Sequence, residues 1–127
     1  MEAIVDTSQR PLCRITVGSE PSVSSIEGIL AKLTDELGRH RAICVLANAE
    51  RTTHIEYAHV KRIVEFAERQ HLMIEAYVRA LAFVIPSPMV RGLIRLAFQI
   101  KPPPHPVRIF STVPEAQAYL TPFLVDI

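Results

Sequence analysis

The residues in this chain whose types could do chemistry are few and poorly spaced for it. His54-Ile55-Glu56-Tyr57-Ala58-His59 places two imidazoles and a carboxylate within six positions, the groups that bind zinc or move protons. The zinc-hydrolase pattern needs its two histidines four apart on one helix face, with a Glu beside the first. Here they are five apart, and at 100° per residue their rings would diverge by about 140°. Glu56 stands three positions after Thr53, the spacing of a capping box, which accounts for a lone acid at a helix start. His71 and His105 are isolated, and Asp6 and Glu20 fall in edge or loop segments without partners. There is no nucleophile elbow, phosphate-cradling loop or Cys–His pairing, and only 4 glycines from which to build such a loop. The expectation is a chain with no catalytic residues, no metal site and no cofactor, hence not an enzyme.

Two other features could bind something. Thr52 and Thr53 precede a helical pattern, where free N–H groups and the helix dipole would favour a phosphate; capping alone also explains a threonine there. Ser87 has the same two readings. The run Pro102-Pro103-Pro104-His105-Pro106 could serve as a polyproline ligand, although its structured flanks favour a stiff connector.

These positions need elements to hold them. Residues 79–110 read as a buried strand, a helix and a second strand. Ala80 to Ile85 form an apolar run stopped by Pro86, which suits a strand covered on both faces. Ser87 and Pro88 make an N-cap and first helical residue, and the helix should run to Ile100, before the proline run. On it Met89, Leu93, Leu96, Ala97 and Ile100 are expected to face the sheet. Ile94 and Phe98 would lie beyond that stripe, beside Arg91 and Arg95. The apolar arc is wider than core coverage requires, and the helix carries no acid. Arg91, Ile94, Arg95 and Phe98 are therefore the candidate interaction or ligand surface.

Upstream, residues 3–7 and 12–17 read as a β-hairpin. Ser24 with Glu27 predicts a capped helix ending at Gly38. Ala42 to Ala47 make a second fully apolar strand, and a helix capped by Thr53 extends to about Glu75. Val107–Phe110 form a strand, and Thr112 with Glu115 cap a last helix whose Ala116, Tyr119, Leu120 and Phe123 face inward. The order β-β-α-β-α-β-α-β-α implies a single α/β domain over residues 1–127, with a mixed, mostly parallel sheet. At 127 residues and 49% apolar composition it can bury a core without staples. Its net charge of +1 gives no pull toward nucleic acid. Cys13 and Cys44 sit in apolar runs and read as core residues of a reducing, cytoplasmic setting. The N-terminal decapeptide does not read as a signal peptide, and no window is long and apolar enough to span a membrane.

The string FVIPSPMVRGLIRLAF, followed by VRIFSTVPEAQAYL, resembles the second half of the SpoIIAA-like proteins, a bacterial group allied to the STAS domain. In that group a strand of the form rvF leads to an "eA..wL" helix. Arg108-Ile109-Phe110, Glu115-Ala116 and Tyr119-Leu120 take those places, with Tyr119 for the usual Trp. The resemblance covers about residues 40–123 by motif and the remainder by element order. It implies a non-catalytic regulatory module that binds a protein partner or a second copy of itself. The resemblance puts a phosphorylatable residue in the loop after the central strand, so Thr52 and Thr53 become the candidate switch loop. That loop lacks the Asp-Ser of the anti-sigma antagonists, which weighs against a kinase-driven switch. The group is also likened to the CRAL-TRIO lipid-transfer fold. The alternative expectation is thus a carrier or sensor of an apolar or lipid-like small ligand, working in solution or at a membrane surface. Few cations are available for an anionic membrane, so a protein partner is the stronger expectation.

Overall fold

Strand order equals chain order in this protein, and that decides where the helices lie. The computed structural model describes residues 3–105 and 107–127, with Ala3 described by its backbone; Met1, Glu2 and Pro106, the last residue of the proline run, lie outside the described residues. The strands are β1 (Ala3–Asp6), β2 (Leu12–Val17), β3 (Ile43–Asn48), β4 (Val78–Val84) and β5 (Val107–Phe110), side by side in the order β1-β2-β3-β4-β5. β1 pairs antiparallel with β2 as the expected hairpin, and the other pairs are parallel. Successive crossovers that step the same way along a sheet, each right-handed, deliver their helices to one face. That face carries α1 (Val23–Leu37), α2 (Tyr57–Arg69), the short α3 (His71–Tyr77) and α4 (Pro88–Ile100). α5 (Val113–Val125) follows the last strand and covers the opposite face.

The two faces are packed differently. Beneath α5, Ala80, Ala82 and Ala116 are fully buried together with Cys44 and Leu120. Small residues on facing surfaces let the helix lie directly on β3 and β4. On the other face Ile15, Ile43, Val45 and Ala47 from the strands meet Ile26, Ile29 and Phe66 from the helices. There α2 and α4 pack on each other, through Val60, Val64 and Ala97, more than on the strands below. Cys13 and Cys44 are both buried but face opposite sides of the sheet. The Cys13 thiol is pushed up to about 11 by burial, so both are inert core groups.

Several boundaries depart from the sequence-based reading. α1 is capped two residues earlier than expected, by Ser22, whose hydroxyl accepts from the Ser25 N–H at 3.0 Å. Glu27 is freed from capping and pairs with Arg62 of α2 at 2.9 Å. Gly38 ends α1 in a right-handed conformation, and His40 supplies the left-handed residue, at φ 57°. α2 begins at Tyr57 rather than beside Thr53, because the backbone N–H groups of Thr53 and His54 are held by the Ser19 carbonyl. Instead of running to Glu75 unbroken, the helix stops at Arg69. α3 starts again after Gln70 and leads straight into β4. The remaining helix starts, Ser87 for α4 and Thr112 for α5, are capped as expected.

Candidate functional site

Because α2 and α4 lean on each other, the layer they form stands off the sheet and borders a partly open apolar chamber of about 200 Å³. Its floor includes a cross-strand row, Ile15–Ala47–Phe83, set by the registers of β2, β3 and β4. Ala47 is the small member of that row, between a branched and an aromatic neighbour. Its missing side-chain volume leaves space that a larger residue would fill. Overhead are Phe66 of α2 with Ile94 and Phe98 of α4, and Phe98 meets Phe83 with ring centroids 5.6 Å apart. Lys101 and Pro102–Pro104 line one end. The volume exceeds the roughly 150 Å³ of an engineered apolar cavity that stays dry and binds benzene. It is smaller than the ~300–1,000 Å³ typical of drug-sized ligand sites. A small ring or one short alkyl tail matches it.

Four residues with polar side chains border this chamber, Thr52, His59, His71 and Lys101, and they do so almost entirely through their apolar atoms. Two are satisfied by the protein. The Thr52 hydroxyl donates to the Gly18 carbonyl at 2.8 Å. Buried His59 takes the Glu56 N–H on Nδ1 at 2.9 Å, and its Nε2 lies 2.7 Å from the Pro21 carbonyl, so the neutral ring donates from Nε2. The other two are not. His71 Nε2 stands 3.5 Å from the Glu75 carboxylate, while its Nδ1 is covered and has no hydrogen-bond partner. Lys101 has no ion-pair partner among the described residues. A second, open cleft of about 340 Å³ between α1 and α2 is lined by Glu27, Arg62 and Glu65, whose charges already pair with one another at the surface.

The structure redistributes the residues singled out in the sequence. Ile94, expected beyond the core-facing stripe of its helix, is buried and faces the chamber, and Phe98 joins it there. Met89 and Ile100, expected to face the sheet, are 63% and 49% exposed. An apolar arc this wide admits more than one facing. Here the α2 contact and Arg91 fix the rotation: Arg91 Nε donates to the Ile85 carbonyl and its Nη2 to the Ser111 hydroxyl at 2.8 Å. Arg91 therefore ties α4 to the ends of β4 and β5, and Arg95 remains exposed. The four residues do not form one surface. In the expected switch loop Thr52 is 2% exposed, which closes its hydroxyl to a kinase, whereas Thr53 is exposed. His54 lies on the loop before α2, apart from His59 within it, and pairs with exposed Glu56 at 3.5 Å. No group of three or more potential metal-ligating side chains occurs among the described residues. Sequence reasoning passed over the role of Ala47; a lone alanine in an apolar strand carries no periodic signal.

A mixed, mostly parallel sheet in chain order, with all crossover helices on one face and a terminal helix on the other, is a distinctive arrangement. It matches, over 94% of both chains and with a TM-score of 0.66, the crystal structure of an uncharacterised protein of the DUF3478 family with a SpoIIAA-like fold from Shewanella loihica. The fold is SpoIIAA-like. The two sequences are 11% identical, so the likeness concerns the path of the chain. No protein-family model matches the sequence, and no curated protein does. Within this SpoIIAA-like frame the chamber lies on the crossover-helix face, and the close-packed α5 face supplies rigidity. No helix among the described residues is long and apolar enough to cross a membrane.

Proposed function

We propose that this protein is a non-catalytic binding module that takes up a small apolar or lipid-like molecule, as a carrier or sensor. The observation that carries the reading is the chamber of about 200 Å³ between the sheet and the α2–α4 layer, walled almost throughout by apolar side chains. A close-packed interior has few voids larger than a water, and an apolar space of this size costs stability when empty. Filling it with ligand recovers dispersion and hydrophobic contacts at about 0.8 kcal/mol per buried methylene.

The test is thermal unfolding of the protein with and without octan-1-ol, beside Ala47→Leu. Ligand that binds only the folded state adds about 2.7 kcal/mol of stability at a hundredfold excess over Kd. The protein should therefore melt at a higher temperature with octan-1-ol. Ala47→Leu, which fills the gap between Ile15 and Phe83, should lose that response. A protein indifferent to octan-1-ol, or a variant as responsive as the parent, contradicts the proposal.

A second reading, a protein-interaction or regulatory module, is favoured by one observation: Met89 and Ile100 stand exposed on the outer flank of α4. They lie on the same side of α4, about 16 Å apart along its axis, and exposed large apolar side chains on one helix side suit an association surface. Sedimentation of the parent against the double variant Met89→Glu, Ile100→Glu tests it. On this reading a parent dimer becomes monomeric in the variant; a parent that is monomeric at all concentrations removes self-association from consideration.

A further inference from the structure

Charge is spread unevenly along this chain, and the fold gathers the positive excess at one side of the sheet. Between Glu75 and Glu115 there is no Asp or Glu, whereas Arg79, Arg91, Arg95, Lys101 and Arg108 all fall in that span. Residues 76–114 thus carry +5 against −4 for the rest of the chain, the two making the net +1. The span is β4, α4 and β5 with their connections, and β4 and β5 are the last two strands of the sheet. None of the five cations has an ion-pair partner among the described residues. Arg79 donates to the Ala76 carbonyl and Arg91 to the Ile85 carbonyl and the Ser111 hydroxyl, all neutral, while Arg108 stands over the Tyr119 ring. Their charges are therefore uncompensated. Alternation along β4 puts Arg79 on the side of Leu81 and Phe83, the crossover-helix face, with Ala80 and Ala82 on the other. Arg108, by its contact with Tyr119 of α5, belongs to the opposite face.

The chamber opens within this flank. Of the described residues that border it, only Pro102 and Pro104 are exposed, so it reaches the surface at the proline run after α4. Ile100, 49% exposed, and Lys101 immediately precede that run. α4 runs antiparallel to the strands, which sets its last turn toward the start of β4, where Arg79 stands. The loop is tied to α3 there by His105 Nε2 on the Glu75 carbonyl, and the Glu75 carboxylate is turned to His71 at 3.5 Å. Exposed apolar side chains on a helix without acids, set among uncompensated cations, make the composition of a surface that seats on an anionic bilayer. We propose that the β4–α4–β5 flank docks on an anionic membrane surface, with α4 at the headgroup layer and the opening of the chamber toward the lipid. The apolar occupant then passes between bilayer and chamber without crossing water. Each cation near such a surface strengthens binding about fivefold, and Met89 and Ile100 add apolar burial. α4 alone offers few cations for this; β4 and β5 bring others to the same flank. A second copy of the chain suits the flank poorly, because a two-fold contact would set two like-charged surfaces against each other. This inference rests on the chamber reading for what is exchanged, and on charge and exposure for where the protein docks.

The experiment is flotation of the protein with vesicles of phosphatidylcholine, alone or with an equal part of phosphatidylglycerol. It is repeated on the double variant Arg79→Glu, Arg95→Glu and on Ile100→Ser. The control is Lys32→Glu, Arg51→Glu, the same change of charge at exposed positions off the flank. The protein is expected to bind the anionic vesicles more than about tenfold more tightly than the neutral ones, and less tightly as salt rises. Arg79→Glu, Arg95→Glu should weaken that binding by more than about tenfold, Ile100→Ser by about fivefold, and the control by less than about threefold. All five substituted positions are exposed, so the fold tolerates the changes. A protein that ignores anionic vesicles, or a control that loses as much as the flank variant, overturns the proposal. Full binding by Ile100→Ser overturns the seating of α4 in the headgroup layer. Retention on immobilised poly-glutamate without vesicle binding assigns the flank to an acidic protein and overturns the membrane assignment. Stabilisation by octan-1-ol without vesicles is read on the same proteins. Where it persists and vesicle binding fails, the docking falls and the chamber stands; where it is absent and vesicle binding holds, the chamber reading falls, the exchange with it, and the docking stands.

Discussion

At the scale of single residues, the most consequential polar group away from the chamber is Glu36. It is buried at the C-terminal end of α1 and held bidentately by Arg10, at 2.6 Å and 3.3 Å, with Arg39 at 3.6 Å. The Arg10 hydrogen bonds keep its carboxyl below its ordinary 4.5. A carboxyl lowered in the folded state contributes stability that is fully present above its unfolded value. That contribution is lost as pH falls through the lower, folded value. Glu36→Gln should therefore destabilise the protein by about 1–2 kcal/mol at neutral pH, with Arg10 partly exposed and its contribution screened. The gap between variant and parent should close in acid denaturation below about pH 4.5; a gap that stays constant would place the effect in packing. Nothing in the sequence marks this pair, because 26 positions separate its members and only the β1–β2 hairpin brings them together. By contrast, Cys13 and Cys44 were readable as core residues from their apolar neighbours alone.

At the scale of elements, the parts with strong local chemistry were legible and the parts set by neighbours were not. α4 has its expected bounds because Ser87-Pro88 and the following prolines delimit it, and α5 is capped by Thr112 and Glu115 as its spacing requires. The rotation of α4 could not be read from its own sequence. Its surplus of apolar residues left the facing to Val60 and Val64 of α2 and to the Arg91 tether. The expectation of a wide apolar arc held, but its exposed flank is Met89 and Ile100, with Ile94 and Phe98 inside. Two substitutions separate these sides. Met89→Glu, at a 63% exposed position, should change stability by less than about 0.5 kcal/mol. Ile94→Ala should cost about 2–4 kcal/mol in urea unfolding, toward the lower end because it enlarges a space already empty. Equal costs at the two positions would contradict the facing.

At the scale of the whole molecule, the order of elements was enough to indicate a mixed, mostly parallel sheet with covering helices, since right-handed crossovers leave few alternatives. The chamber was not legible, because it arises between elements. Alanines under α5 let one helix close on the sheet, while α2 and α4 pack mutually and hold the other layer away. Ala47→Leu is the substitution that uses this difference. Filling an existing cavity commonly adds ~0.5–2 kcal/mol, so the variant should be more stable than the parent when both are unliganded. Stability gained together with binding lost marks a space kept open for a ligand.

The central claim is that this space takes an apolar molecule, and the most direct measurement is a ¹H–¹⁵N chemical-shift titration with octan-1-ol. The account predicts saturable shifts centred on Ala47, Phe83, Ile94 and Phe98, absent in Ala47→Leu. No saturable change up to the solubility limit, or shifts centred on the outer flank at Met89 and Ile100, would contradict it.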